Sequence, residues 1–225
     1  MTTTQVRLRP VDLGKPRMRG WLHLYAFFFA VVAGIVLTTF AATRVAGAAA
    51  AVSCAIYSVT VCALFGTSAL YHRRVWSPRW YLVMRRLDHS MIFVFIAGTY
   101  TPFSVLLLRR GVATTILAIV WGGAVLGVGL KLIYPHAPRW VGAPLYVALG
   151  WVAIPVLPQL LSHGGSAALV LLIAGGAFYT LGAVAYALRR PNLWPDTFGH
   201  HEFFHACTLV AAVCHQVAVY FALFQ

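Results

Sequence analysis

Seven blocks of about twenty apolar residues make up nearly all of this chain, at about 21–42, 49–71, 88–108, 112–133, 141–161, 166–188 and 201–223. A helix of that length crosses the hydrocarbon core of a bilayer. In lipid each crossing segment must satisfy its own backbone hydrogen bonds, so helices are the expected form. The sequence predicts an all-α integral membrane protein: a basic tail at residues 1–20, then a bundle of seven transmembrane helices over residues 21–225. Only 9% of the 225 residues are charged and 61% are hydrophobic, whereas a soluble domain carries roughly a quarter charged residues. The first block exceeds the ~7–15-residue core of a cleaved signal peptide, and is read as a retained span.

The net charge of +13 does not indicate nucleic acid, because the arginines lie in short stretches between apolar blocks rather than along one soluble face. Apart from Arg44, Arg109 and Arg110, every basic residue falls in the N-terminal tail or in alternate connections. That asymmetry predicts a cytoplasmic N-terminus and a C-terminus on the opposite side. The gap from Arg73 to Leu87 mixes tryptophan and arginine around a proline and predicts a short interfacial turn or helix. Pro144, Pro155 and Pro158 are expected to bend the fifth span. Cys54, Cys62, Cys207 and Cys214 all lie inside apolar blocks with no CxxC pair, which predicts buried free thiols.

Ionisable groups inside a span are costly and need a reason. The only acids are Asp12, Asp88, Asp196 and Glu202. Glu202 belongs to HHEFFH, residues 200–205. His201 and His205 are four apart and share a helix face, a spacing that lets two imidazoles reach one ion. His200 points elsewhere. Under the predicted orientation, the second span ends at His72 and the third begins at Asp88, both at the level of His201 and His205. Three imidazoles with an open fourth position make a hydrolytic zinc site, and a carboxylate beside it can take a proton from water. Asp88 suits that role. Ser68, one turn before His72, can hydrogen-bond the carboxylate, the water or a substrate oxygen. HEFFH also matches the HExxH pattern of zinc proteases, in which Glu202 would be the base instead. Of the other histidines, His23 is read as interfacial, His136 and His163 as loop residues, and His215 as a satisfied histidine between helices. His89 is rotated ~100° from Asp88.

The chain resembles the hemolysin III group, the bacterial branch of the progestin and adipoQ receptor family. The stretches that carry the likeness are SALYH at 68–72, LDHSMIFVFIAGTYTPF at 87–103 and HEFFHACTLVAAVCHQ at 201–216. The resemblance implies seven helices and a zinc ion (Zn2+) held by His72, His201 and His205, with Asp88 acting through water and Ser68 close by. It also implies a multi-pass protein of the bacterial inner (plasma) membrane with a lipid as substrate or ligand. Within AGTYTP, residues 97–102, the threonines and Tyr100 are expected to face the bundle. A threonine hydroxyl is expected to help satisfy the carbonyl freed by Pro102.

Two classes of function stay open. One is a zinc-dependent hydrolase of amide or ester bonds in membrane lipids, ceramidase-like. The other is a non-enzymatic lipid sensor or regulator of membrane state, in which zinc is structural. An intramembrane zinc peptidase is a variant of the first. A cytolytic pore would need charge-lined spans, which these are not.

Overall fold

The computed structural model describes residues 15–45 and 47–225. Its helices are α1 (Trp21–Arg44), α2 (Ala48–Arg73), α3 (Pro78–Leu107), α4 (Arg110–Ile133), α5 (Arg139–Gly150), α6 (Leu157–Leu188) and α7 (His200–Leu223). Among the described residues there is no strand beyond an isolated bridge between Trp194 and Phe198. Residues 1–14 of the expected basic tail, with Arg7 and Arg9, lie outside the described residues.

The expected count of seven spans is corrected to six. Among the described residues six helical stretches are long and apolar enough to cross a membrane, and the last but one is the stretch Arg139–Leu188, broken after Gly150 and kinked at Gly165. The fifth expected span, 141–161, is not a helix of its own. It begins as the twelve residues of α5, which contain Pro144. After a turn at 151–153 it passes through a 3-10 turn at Ile154–Val156 and merges into α6. Pro155 and Pro158 sit in the first positions of these two elements, where a missing N–H costs nothing but cannot continue the preceding helix. The prolines therefore break the segment instead of bending it. The break is braced from α3: the Tyr100 hydroxyl donates to the Gly150 carbonyl at 2.7 Å and accepts from the Ala153 N–H at 2.9 Å. A second irregularity lies at Gly165 of α6, with φ 75° and ψ 171°, a conformation that excludes a residue with a Cβ. His163, expected in a loop, is exposed on α6.

Two other expectations change. The gap before the third block is not a separate interfacial element, because Pro78 opens α3 at its first turn and the helix runs through Arg85 and Arg86. The threonines of AGTYTP do not satisfy the carbonyl that Pro102 frees, which is that of Gly98. The Thr99 hydroxyl donates to Phe95 and the Thr101 hydroxyl to Ala97. Both side chains are buried, as expected for the bundle interior.

Sequential helices pack as neighbours, α1 on α2, α2 on α3 and α3 on α4, and α6 packs along α7. Small residues permit this: a Cβ on Gly98 would collide with Thr60, and one on Gly127 with Phe93. Helices α1 and α7 run in the same direction, since His23 meets His205 at one end and Phe40 meets Phe224 at the other. The outer faces stay apolar, with Phe28, Phe29, Val32 and Ile35 exposed on α1, which suits a lipid surround. The four cysteines are free.

Candidate metal centre

At one end of the bundle, α2 finishes and α7 begins. His72 lies in the last turn of α2, and His201 and His205 in the first two turns of α7. One nitrogen from each of the three rings lies within 4.8 Å of the other two. The Nε2 atoms of His72 and His201 face each other at 3.1 Å. Imidazole nitrogens bound tetrahedrally at ~2.0–2.1 Å would stand about 3.3 Å apart, so the His72–His201 pair already stands at a spacing that suits one zinc ion, with His205 as the third donor. The set contains no thiolate, and three imidazoles suit a borderline metal.

Asp88 reaches this cluster from the third turn of α3. Its Oδ2 lies 3.9 Å from His72 Nε2 and 3.8 Å from His89 Nδ1. Neither is a direct hydrogen bond. His89 Nδ1 is instead committed to the Arg85 carbonyl at 2.8 Å. Ser68, buried on α2, neighbours Asp88.

A cavity of ≈ 180 Å³ opens from this end of the bundle into its interior. Ser68, Asp88, His201 and His205 line it, and so does a row along α3 from Ile92 through Phe95, Thr99 and Phe103 to Leu108. Twenty residues of helix separate Asp88 from Leu108, about 30 Å at 1.5 Å per residue. The polar end is thus continuous with a long apolar tunnel.

A family model described as haemolysin-III related matches residues 11–216. The chain belongs to the haemolysin-III family. It is similar to Hemolysin-3 of Bacillus cereus, 31% identical over 182 residues that cover 79% of this chain and 78% of that one. It is similar to the Hemolysin-3 homolog of Bacillus subtilis (strain 168), 30% identical over 158 residues, 70% of this chain and 71% of that one. A more distant likeness is to the heptahelical transmembrane protein ADIPOR2 of Oryza sativa subsp. japonica, 34% identical over 158 residues, 64% of this chain and 69% of that one. These likenesses place this multi-pass membrane protein in the progestin and adipoQ receptor group.

Within this haemolysin-III chain the two candidate carboxylates are sharply different. Glu202 is fully buried. Its Oε2 accepts from the Gly199 N–H at 2.9 Å, and its Oε1 pairs with Arg19. Both oxygens are occupied in capping α7 and anchoring the N-terminal segment, and Glu202 is not among the residues lining the cavity. Asp88 lines it, with the Ser68 hydroxyl as its hydrogen-bonding neighbour. His200 is turned outward to Arg139.

Sequence reasoning missed His23. It is 2% exposed, not interfacial, and both ring nitrogens lack partners among the described residues. It also missed the segment that delivers it. The Arg17 N–H donates to the Asp196 carbonyl at 2.9 Å, and the Met18 N–H to that of Thr197 at 3.1 Å. Gly20, at φ 80°, packs so closely on His72 that a Cβ there would lie 2.8 Å from the His72 Cβ. The Arg73 guanidinium stacks over Trp21 at 3.8 Å. Residues 16–23 therefore strap the end of α2 to the start of α7. A lone histidine and scattered tail arginines carry no periodic signal that reveals such a strap.

Proposed function

We propose that this protein is a zinc-dependent hydrolase of the bacterial plasma membrane that cleaves an amide or ester bond in a lipid. The observation that carries the reading is that Asp88, beside the Ser68 hydroxyl, shares one cavity with two of three clustered imidazoles, and that this cavity continues as an apolar tunnel. His72, His201 and His205 would hold the zinc. When bound, zinc supplies a Lewis acid and makes a water molecule acidic near neutral pH.

The chain's own residues do the rest. The tunnel holds the acyl chain and excludes bulk water. This sets the scissile carbonyl at the polar end, where the linkage of a membrane lipid can arrive from the bilayer. Asp88 accepts the proton that water loses as its oxygen adds to the carbonyl carbon. Asp88 then returns that proton to the leaving nitrogen or oxygen, so the products are a fatty acid and an amine or alcohol. Ser68 orients the Asp88 carboxyl. Glu202, with both oxygens engaged, is a structural cap, which argues against the peptidase reading.

The test is turnover of a defined ceramide by purified protein in lipid nanodiscs. Asp88→Asn is expected to retain zinc and lose turnover by a factor of about 10²–10⁴, the usual size of a general acid–base contribution. Unchanged turnover would reject the assignment.

One observation favours a second reading, in which zinc is structural and the protein senses lipid. Helices α2 and α7 are joined chiefly through α1 and α3, so a metal held by His72 and His201 would tie them directly. A zinc-loaded protein whose fold collapses on chelation, and which turns over no lipid, would support that reading.

A further inference from the structure

Midway along the tunnel, polar atoms are buried with nothing to bond. His215 of α7 uses Nε2 to donate to the Leu172 carbonyl at 3.2 Å. A neutral imidazole that donates from Nε2 keeps a lone pair on Nδ1, and that atom has no partner. The Tyr179 hydroxyl of α6 and the Ser104 hydroxyl of α3 are also buried and unpartnered. All three residues line the cavity. The Tyr179 and His215 rings lie 5.4 Å apart. The position is built for the imidazole, because a Cβ on Gly175 would collide with the His215 ring.

Several other hydroxyls lining the tunnel differ. Thr99, Tyr100, Thr180 and Thr208 each donate to a backbone carbonyl. Among the described residues that line the tunnel, buried atoms without a partner therefore lie in two places: on His23 beside the imidazole cluster, and deeper in, on His215, Tyr179 and Ser104. His205 and His215 are ten residues apart on one helix, about 15 Å along its axis.

We propose that His215, Tyr179 and Ser104 form a subsite for a hydroxyl group carried on the acyl chain in the tunnel, about 15 Å from the imidazole cluster. A hydroxyl matches the unpaired atoms: it donates to His215 Nδ1 and accepts from Tyr179 or Ser104. A carboxylate does not match, since among the described residues no lysine or arginine lines the cavity and a buried anion needs a compensating charge. A plain methylene chain would cover the same atoms and leave them unsatisfied. This inference rests on the lipid reading above and names the substrate class more narrowly, as a lipid whose chain is hydroxylated part-way along.

The experiment measures equilibrium binding of stearic acid and a positional series of its monohydroxy derivatives to zinc-loaded protein in nanodiscs. Affinity is expected to peak at one mid-chain hydroxyl position, about tenfold above stearic acid, the effect of two net hydrogen bonds. Tyr179→Phe, which removes one oxygen, is expected to bring that ratio to threefold or less, with Ser104→Ala as an independent variant. If the two kinds of chain bind equally at every position, as they would if a resident water already satisfied these atoms, the subsite is overturned and the lipid reading stands. If no fatty acid of either kind binds, both fall. A positional peak that persists unchanged in both variants assigns the preference elsewhere and overturns the subsite. The wild-type series decides the matter even if a variant fails to fold.

Discussion

His23 and His205 stack face to face, their ring centroids 3.7 Å apart and their planes 11° from parallel. The stack fixes the orientation of a candidate zinc ligand from the first helix, and it is the innermost contact of the strap formed by residues 16–23. Groups that orient a metal's ligands are typically worth a factor of ~10–100 in affinity. His23→Ala is therefore expected to weaken zinc retention by about that factor. His23→Phe, which keeps a flat ring, is expected to retain most of it. Zinc content after dialysis against graded chelator reads the difference. Equal zinc retention in His23→Ala and the wild type would remove the stack from the account.

Arg19 and Glu202 make the next test. Removing one partner of a buried ion pair leaves an uncompensated charge and typically costs ~3–5 kcal/mol. Glu202 is fully enclosed while Arg19 keeps part of its side chain in contact with solvent. Arg19→Ala is accordingly expected to sit at the lower end of that range, seen as a fall in the thermal midpoint. Glu202→Gln is expected to lower stability while sparing the zinc-loaded protein's turnover per folded molecule. Abolished turnover with stability intact would return the catalytic base to Glu202.

Gly20 and Gly47 form a matched pair. Both hold positive φ, at 80° and 103°, but a Cβ on Gly47 meets open space while one on Gly20 meets His72. Gly47→Ala is expected to cost ~1–3 kcal/mol of backbone strain and leave zinc binding alone. Gly20→Ala is expected to cost more and to release zinc, because relief of the clash moves a ligand. Metal analysis and thermal melts of the two variants side by side check this.

Tyr100 braces the broken segment between α5 and α6 by bonding on both sides of the break. Tyr100→Phe removes both bonds and leaves Gly150 and Ala153 short of partners. The expected cost is about 1–3 kcal/mol, with faster hydrogen exchange over residues 150–157. Zinc content should not change, since the break lies far along the bundle from His72.

The clustering of His72, His201 and His205 was easier to read from the sequence than the helix breaks. An ionisable residue in an apolar block stands out because lipid makes it expensive, so His72, Asp88, His201 and His205 were all visible. Helical spacing alone put His201 and His205 on one face. The span count failed at 141–161, where three prolines in an apolar run look like a bend. Whether such a run breaks depends on what can satisfy the freed backbone, here Tyr100, fifty residues away. His23 was misread because a lone histidine at the start of a span looks the same whether it meets water or another imidazole. The pairing of Arg19 with Glu202 has no local signature at all. Glu202 invited a catalytic reading through its place in HExxH, and only the fold shows that capping and pairing use both its oxygens.

The most direct test of the central claim is X-ray absorption at the zinc edge on the purified protein, with His72→Ala measured alongside. The account predicts one zinc per chain, a first shell of three imidazole nitrogens with one further light atom, and loss of that signature in the variant. A wild-type protein that holds no zinc, or a first shell with sulfur or fewer than three imidazoles, would contradict it.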